Sequence, residues 1–304
     1  MQISIIIPNY NGKVLLQKHL PYVLAAAPKA EIIIVDDAST DESVSYIKKH
    51  FPQILTIEKA TNSGFATSVN LGVKAASGEI LLLLNSDAIP KKDFLAPLLS
   101  HFSDPAVFAV GCLDESVESE MVITRGRGIG LFRQGFLLHS RGEVDKMSTL
   151  WVNGGSGAFK KEIWVKMGGL DEIYSPFYWE DIDLSYRALK SNYKILFEPK
   201  SIVEHRHQEG SIAKHFNQKY IQTISTRNQF IFVWKNITDI DYLINHFIWL
   251  PYHLLKAIMR KDKPFLEGFM QAVARLPQIL RARQIAKKYF KKRDSIVLAP
   301  FDHE

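Results

Sequence analysis

The chain has 304 residues, 46% of them hydrophobic and 23% charged. That is enough apolar material for a sizeable core in one large domain or two smaller ones, and it excludes a disordered chain. The single cysteine, Cys112, rules out an internal disulfide framework, reads as a buried core thiol, and fits a reducing, cytoplasmic setting. The net charge of +6 is uneven: residues 1–252 carry 26 Lys+Arg against 27 Asp+Glu, and residues 253–304 carry 12 against 5. The excess basicity therefore belongs to one C-terminal segment, which argues against a nucleic-acid-binding face spread over the protein.

Residues 1–8 lack a basic start, and their apolar run is too short for the core of a secretion signal, so they read as a first strand. Short aliphatic runs at Ile3–Ile7, Ile32–Val35, Ile54–Ile57 and Ile80–Leu84 alternate with helical patterns at Lys13–Ala26, Asp41–Lys49 and Ala66–Ala76. This alternation predicts an α/β fold with a parallel sheet, and a nucleotide-binding half over residues 1–110. Asp41 fits the N-cap of the second helix, Gly78 the stop of the third, and Pro90 the close of the loop after the fourth strand.

From Asp114 to Met147 the pattern dissolves into glycines and arginines, including Arg125-Gly126-Arg127-Gly128 and Arg133. A loop over a site and a β-hairpin at the sheet edge both fit it. Regular structure resumes with Gly154-Gly155-Ser156-Gly157, a helix through Met167, a turn at Gly168-Gly169, a helix from Glu180 to Asn192 and a strand at Lys194–Phe197. Helical patterns follow at Phe216–Trp234, Tyr242–Arg260 and Phe265–Phe290. The composition shifts from about Phe216 onward, and the chain is expected to divide into a body over 1–235 and a basic, amphipathic helical segment over 236–304. Polar residues interrupt the apolar stretch Tyr242–Ile258, so no membrane span is expected.

Three acidic signatures follow apolar runs or open a helix: Asp36-Asp37, Asn85-Ser86-Asp87 and Glu180-Asp181-Ile182-Asp183. Carboxylates at the carboxyl ends of buried strands sit where open α/β sheets bind ligands. Acids so placed suit a metal, a nucleotide and a proton acceptor at one site. Asp36, Asp37 and Ser39 could instead cap the helix that follows them. No Gly-rich triphosphate loop or G-x-G-x-x-G follows the first strand, which disfavours a sugar nucleotidyltransferase and a Rossmann dehydrogenase.

Taken in order, Ile5-Ile6-Ile7-Pro8-Asn9-Tyr10-Asn11-Gly12, Asp36-Asp37, Asn62-Ser63-Gly64-Phe65-Ala66, Asn85-Ser86-Asp87 and Trp179-Glu180-Asp181 carry a family resemblance. Over residues 1–235 the chain resembles glycosyltransferase family 2, inverting enzymes with the GT-A fold, a Rossmann-like mixed sheet flanked by helices. The resemblance implies that Asp37 contacts the nucleotide base, with Pro8, Tyr10, Gly64 and Asn70 in the same pocket. Asn85 and Ser86 would serve the nucleotide sugar, and Asp87 would bind a divalent cation, Mg²⁺ or Mn²⁺. His205 would share that ion, with His207 competing for the role. Asn85 stands where the family pattern has an acid, which implies a weaker or more substrate-dependent metal site. Asp181 would be the catalytic base and Glu180 its or the acceptor's positioning partner, with Asp183 a structural acid. Trp179 would stack on a sugar, and Gly155 and Ser156 would form the floor under the donor or acceptor sugar.

The resemblance also implies transfer of a sugar from a dTDP- or UDP-linked donor to a hydroxyl of a glycan or lipid-linked acceptor in surface-polysaccharide synthesis. A nucleotide-sugar-binding scaffold without turnover is the rival reading. In the C-terminal segment, Phe247, Ile248, Trp249, Leu250, Tyr252, Leu254 and Leu255 with later cations suit a peripheral contact with an anionic membrane, on the inner face of the cell membrane. Packing of these helices on the catalytic body, or on a second copy in a homo-oligomer, is the alternative.

Overall fold

The computed structural model describes residues 1–118, 121–205 and 216–302. The first half runs β1 (Ile3–Asn9), α1 (Lys13–Ala26), β2 (Glu31–Asp36), α2 (Ser43–His50), β3 (Leu55–Glu58), α3 (Phe65–Ala75) and β4 (Ile80–Leu84). These elements lie within a residue or two of the sequence reading, because each strand is a short aliphatic run closed by polar residues. All pairings among these strands are parallel, as expected for strands joined through helices. Alternation along β1 sends Ile5 and Ile7 to the core under α1 and Ile6 to the core under α3.

The second half continues with β5 (Ala88–Pro90), α4 (Leu95–Ser100), β6 (Val107–Glu118), β7 (Met121–Arg125), β8 (Gly128–Arg133), β9 (Phe136–Arg141), β10 (Ser156–Lys160), α5 (Lys161–Met167), α6 (Glu180–Lys190) and β11 (Lys194–His205). Among the described residues the main sheet has the order β3-β2-β1-β4-β10-β6-β11-β5, with β7 added on β6. β10 enters antiparallel between β4 and β6, so the sheet is mixed. Ser156 pairs with Leu84, which places Gly154-Gly155 beside Asn85-Ser86-Asp87. Cys112 is buried in the core under α1, where burial pushes its thiol up, as expected for an inert core residue.

Several expectations needed correction. Pro90 lies in β5, which pairs with β11, and so does not merely close a loop. The Gly/Arg stretch forms two antiparallel pairs, β6–β7 and β8–β9, the second a separate two-stranded sheet. The strand expected at Lys194–Phe197 runs on to His205, since β6 and β5 offer it hydrogen-bonding edges along its length.

The remaining helices are α7 (Gln218–Asn236), α8 (Ile240–Met259), α9 (Lys263–Ala274), α10 (Leu276–Lys287) and α11 (Asp294–Leu298). The single helix expected over Phe265–Phe290 is two, because Pro277 can open a helix but cannot continue one. The expected boundary at 235 crosses a shared core: Tyr186 and Trp179 pack with Phe232, Ala272, Ile279 and Leu298. A buried polar cluster ties the same regions. The Asp294 carboxylate accepts from Lys190 Nζ and Tyr186 OH at 2.7 Å each, and from the amides of Thr238 and Asp239.

Lys190 and Asp294 are fully buried, and breaking such a pair leaves a charge without compensation. Asp294→Ala is expected to destabilise the fold by about 3–5 kcal/mol in urea unfolding. A loss below about 1 kcal/mol, typical of an exposed pair, would contradict this arrangement.

Candidate active site

A cavity of about 800 Å³ opens at the carboxyl ends of β1, β2 and β4, within the usual range for a ligand pocket. At one end it is lined by Pro8, Tyr10, Asp37 and Gly64. Asp36 lies behind this wall and fastens two loops, accepting from Asn9 Nδ2 at 2.8 Å and from Ser39 N at 2.9 Å. The expected caps on α2 are not formed by Asp36, Asp37 or Ser39; Asp41 supplies a cap-like bond to Ser43 N instead. The Asp37 carboxylate accepts from the amides of Ser63 and Gly64 at 3.0 and 2.9 Å and pairs with Lys59 at 2.6 Å. Three of its roughly four acceptor positions are thus taken. Gly64 has φ +91, and a Cβ there would lie 2.8 Å from the Pro176 carbonyl oxygen, so only glycine fits.

Asn85, Ser86 and Asp87 line the middle of the cavity. Asn85 N donates to Gly155 O at 2.9 Å, which joins the end of β4 to the Gly-rich turn. His205 does not line the cavity: it is fully buried, paired with Ala88 across β11 and β5, with Nδ1 3.0 Å from the Asp114 carboxylate. A carboxylate on one ring nitrogen is the usual support for an imidazole that ligates metal through the other. Among the described residues no group of three or more His, Cys, Asp or Glu could cage an ion. A divalent cation that meets phosphate oxygens takes few protein ligands; Asp87 lines the cavity, and His205, outside its lining, is near enough to feel the Asp87 charge. His207 lies outside the described residues.

The third wall is the start of α6. Tyr178 and Trp179 both have left-handed backbones, φ 70 and 77, a conformation that costs about 1–2 kcal/mol per residue. Asn228 Nδ2 holds it in place by donating to the carbonyls of Tyr174, Phe177 and Tyr178 at 2.8–3.0 Å. Trp179 is buried, its ring 4.9 Å from His139. Both Glu180 and Asp181 line the cavity. Burial, with the Asp181 charge beside it, pushes the Glu180 carboxyl well above its ordinary value, and its Oε2 has no hydrogen-bond partner among the described residues. Burial raises Asp181 too, but amides of Ile182 and Gly154 bond to it at 2.8 and 3.3 Å and the Arg141 charge opposes the rise, while burial lowers the value of the neighbouring His139. Adjacent carboxylates in unlike surroundings separate into one that keeps its proton and one that ionises.

Asp183, two residues on, points away from the cavity into the core. Its carboxylate takes Lys235 Nζ at 2.8 and 2.9 Å, Arg187 Nε at 2.7 Å, Asn236 Nδ2 at 2.7 Å and Tyr174 OH at 2.9 Å. Burial alone would raise it, yet Arg187 and Lys235 hold it well below the usual carboxylate range.

Two expected site residues lie elsewhere. Asn70 faces the 169–172 turn, giving Nδ2 to Leu170 O at 2.8 Å and accepting Leu170 N at 3.0 Å, because that turn leaves both backbone groups unpaired. Ser156 is buried in β10 and does not line the cavity, whereas Gly154 and Gly155 do. Sequence reasoning missed Asp114, Arg125, His139 and Arg141. Arg125, His139 and Arg141 line the same cavity, the latter two close enough to Asp181 to act on its charge. Asp114 follows the apolar run Val107–Leu113, the same signal that marked the other acids.

Comparison with known proteins bears on the family and the fold. The model of glycosyl transferase family 2 matches residues 4–163. A pre-mycofactocin glycosyltransferase of Mycobacterium tuberculosis is 28% identical over 186 residues, 58% of this chain and 37% of that protein. Two solved structures share the fold. One is GalNAc-T7 with UDP, GalNAc and Mn²⁺, at TM-score 0.65 and 20% identity over 80% of this chain and 49% of that one. The other is Staphylococcus aureus TarS 1–349 with UDP-GlcNAc, at TM-score 0.60 and 16% identity over 95% and 91%. The fold is GT-A. The chain belongs to glycosyl transferase family 2, and it spans little more than a third of the length of that mycobacterial relative.

The depressed Asp183 contributes stability that is present above its unfolded pKa, about 3.9, and is lost as pH falls through its lower folded value. The stability gap between the wild type and Asp183→Asn is therefore expected to shrink as pH drops below about 4 in a denaturation series. A gap that stays constant from pH 7 downward would contradict the buried ion pairs.

Proposed function

We propose that this chain is an inverting glycosyltransferase that moves one sugar from a pyrimidine nucleotide diphosphate, dTDP- or UDP-linked, to a hydroxyl of a glycan or lipid-linked acceptor in surface-polysaccharide synthesis. The observation that carries this reading is that Asp37, Asp87 and Asp181, from three distant stretches, line one cavity. Pro8 and Tyr10 flank the base, and the remaining acceptor position of Asp37 suits the imide hydrogen of uracil or thymine. The UDP and UDP-GlcNAc bound in the two solved structures support this donor class.

Asp181, raised by burial but with that rise limited by two amides and the Arg141 charge, accepts the proton of the acceptor hydroxyl. That oxygen attacks the anomeric carbon as the bond from this carbon to the diphosphate oxygen breaks on the opposite face. Glu180, holding its proton, donates a hydrogen bond that positions the acceptor. Trp179 and Gly155 shape the space for the sugars. Asp87 and His205 would hold a divalent cation, which supplies charge neutralisation for the departing diphosphate. Asn85 brings an amide to that place, so Arg125 and Arg141 share the anionic load.

A scaffold that binds nucleotide sugars without turnover would leave the split between Glu180 and Asp181 without a use. Asp181→Asn is expected to lower transfer by about 10²- to 10⁴-fold, the usual contribution of a general base. Donor affinity, read by calorimetry, should stay within about twofold, since the group acts only in the chemical step. Undiminished turnover in that variant would reject the assignment.

A further inference from the structure

Helix α8 has two unlike faces. Its inner face packs on the body: His246 is buried, its Nδ1 2.7 Å from Gly135 O, and it accepts Trp234 Nε1 at 2.9 Å through Nε2. The outer face carries Ile244, Phe247, Ile248, Leu255, Ile258 and Met259, each between 51% and 83% exposed. At 3.6 residues per turn these six lie within an arc of about 120°, and no charged residue between Ile244 and Met259 falls in that arc. Of the residues expected to meet a membrane, Trp249, Leu250 and Leu254 are half-buried and Leu250 packs on the core, whereas Phe247, Ile248 and Leu255 lie in the outer stripe, joined there by Ile244, Ile258 and Met259. A continuous apolar face of this kind marks an interaction surface.

Charge selects the occupant. Lys256 borders the stripe, exposed Arg260, Lys261 and Lys263 follow its C-terminal end, and Arg293, 64% exposed, sits at its N-terminal end beside Asp239 and Asp241. At the N-terminal end Arg293 is offset by Asp239 and Asp241, but at the C-terminal end four cations outnumber Asp262, and an apolar stripe leading into such a basic end matches the boundary between acyl chains and anionic headgroups. No described helix is long and apolar enough to cross a membrane, which leaves a helix lying in the plane of the surface. We propose that the outer face of α8 docks on an anionic membrane. The inference stands apart from the transfer chemistry, since it uses no residue of the cavity.

The position of α8 bears on the site. Asn245 Oδ1 accepts Gly135 N at 2.7 Å, and His253 Nε2 lies 2.8 Å from Gln134 O, so the helix grips the turn between β8 and β9. β9 then carries His139 and Arg141 into the cavity wall, about 14 and 20 Å beyond Gly135 at 3.4 Å per residue. A surface-bound α8 therefore holds the part of the cavity lined by His139 and Arg141 close to the lipid.

The test is co-sedimentation of the whole chain with phosphatidylcholine vesicles, with and without phosphatidylglycerol. The wild type is expected to pellet with the anionic vesicles and far less with the neutral ones. Ile248→Glu with Leu255→Glu, both outward-facing, should lower that partitioning by about tenfold or more. Unchanged circular dichroism and nucleotide binding would show that the variant keeps its fold and its donor site. Equal pelleting of variant and wild type, or no binding to anionic vesicles, would overturn the proposal. So would light scattering that finds a wild-type dimer which the variant makes monomeric, because a second copy would then own the face. Loss of transfer with intact vesicle binding would count against the catalytic reading alone.

Discussion

A carboxylate removed from water must be met by cations or hydrogen-bond donors, and Asp183 imposes that requirement at the centre of this molecule. It recruits Arg187 from its own helix and Lys235 and Asn236 from the end of α7. Arg187 also donates to the Gly169 carbonyl at 2.7 Å, and Lys235 to Asp171 at 2.6 Å. One buried acid thus locks α6, α7 and the 167–174 turn together. Because Asp181 is two residues earlier on the same helix, this lock fixes the direction in which it faces.

The remaining features of the cavity make sense around that fixed point. The left-handed pair Tyr178-Trp179 turns the chain sharply into α6, and Asn228 with Arg227 binds the carbonyls that the turn exposes. Glu180 is left buried beside the Asp181 charge with a single backbone amide to oppose it, while Asp181 meets two amides and the Arg141 charge. The chemical difference between the neighbours therefore comes from the orientation of one helix start and needs no special residue. On the other side, Asp37 fastens the loop of Gly64, and the next amide, Phe65 N, donates to Pro176 O, so the Asp37 wall and the segment leading into α6 meet directly.

Much of this was legible in the sequence where the physics is local. The parallel strands showed as aliphatic runs, and the acids at their ends marked the cavity before any coordinates. What stayed hidden depends on distant pairing. The antiparallel insertion of β10 arises from edges offered by β4 and β6, far away in sequence, whereas the hairpin reading of the Gly/Arg stretch is met by the local pairs β6–β7 and β8–β9. Asn70 sits beside nucleotide-pocket motifs along the chain, yet the unpaired backbone of Leu170 claims it. His139 and Arg141 lie on a short strand of mixed burial with no periodic signal, and only folding carries them close to Asp181. The outward stripe of α8 was visible as apolarity, but which residues face out depends on how His246 seats the helix.

The central claim is that one cavity holds an ion, a diphosphate and the catalytic carboxylate together. Diffraction from crystals soaked with UDP and Mn²⁺, measured at the manganese absorption edge, tests it most directly. The account predicts an anomalous peak at ligand distance from the Asp87 carboxylate, with the pyrimidine beside Tyr10 and the diphosphate between the ion and Asp181. A nucleotide or ion bound elsewhere, with Asp87 and Asp181 left facing solvent, would contradict it.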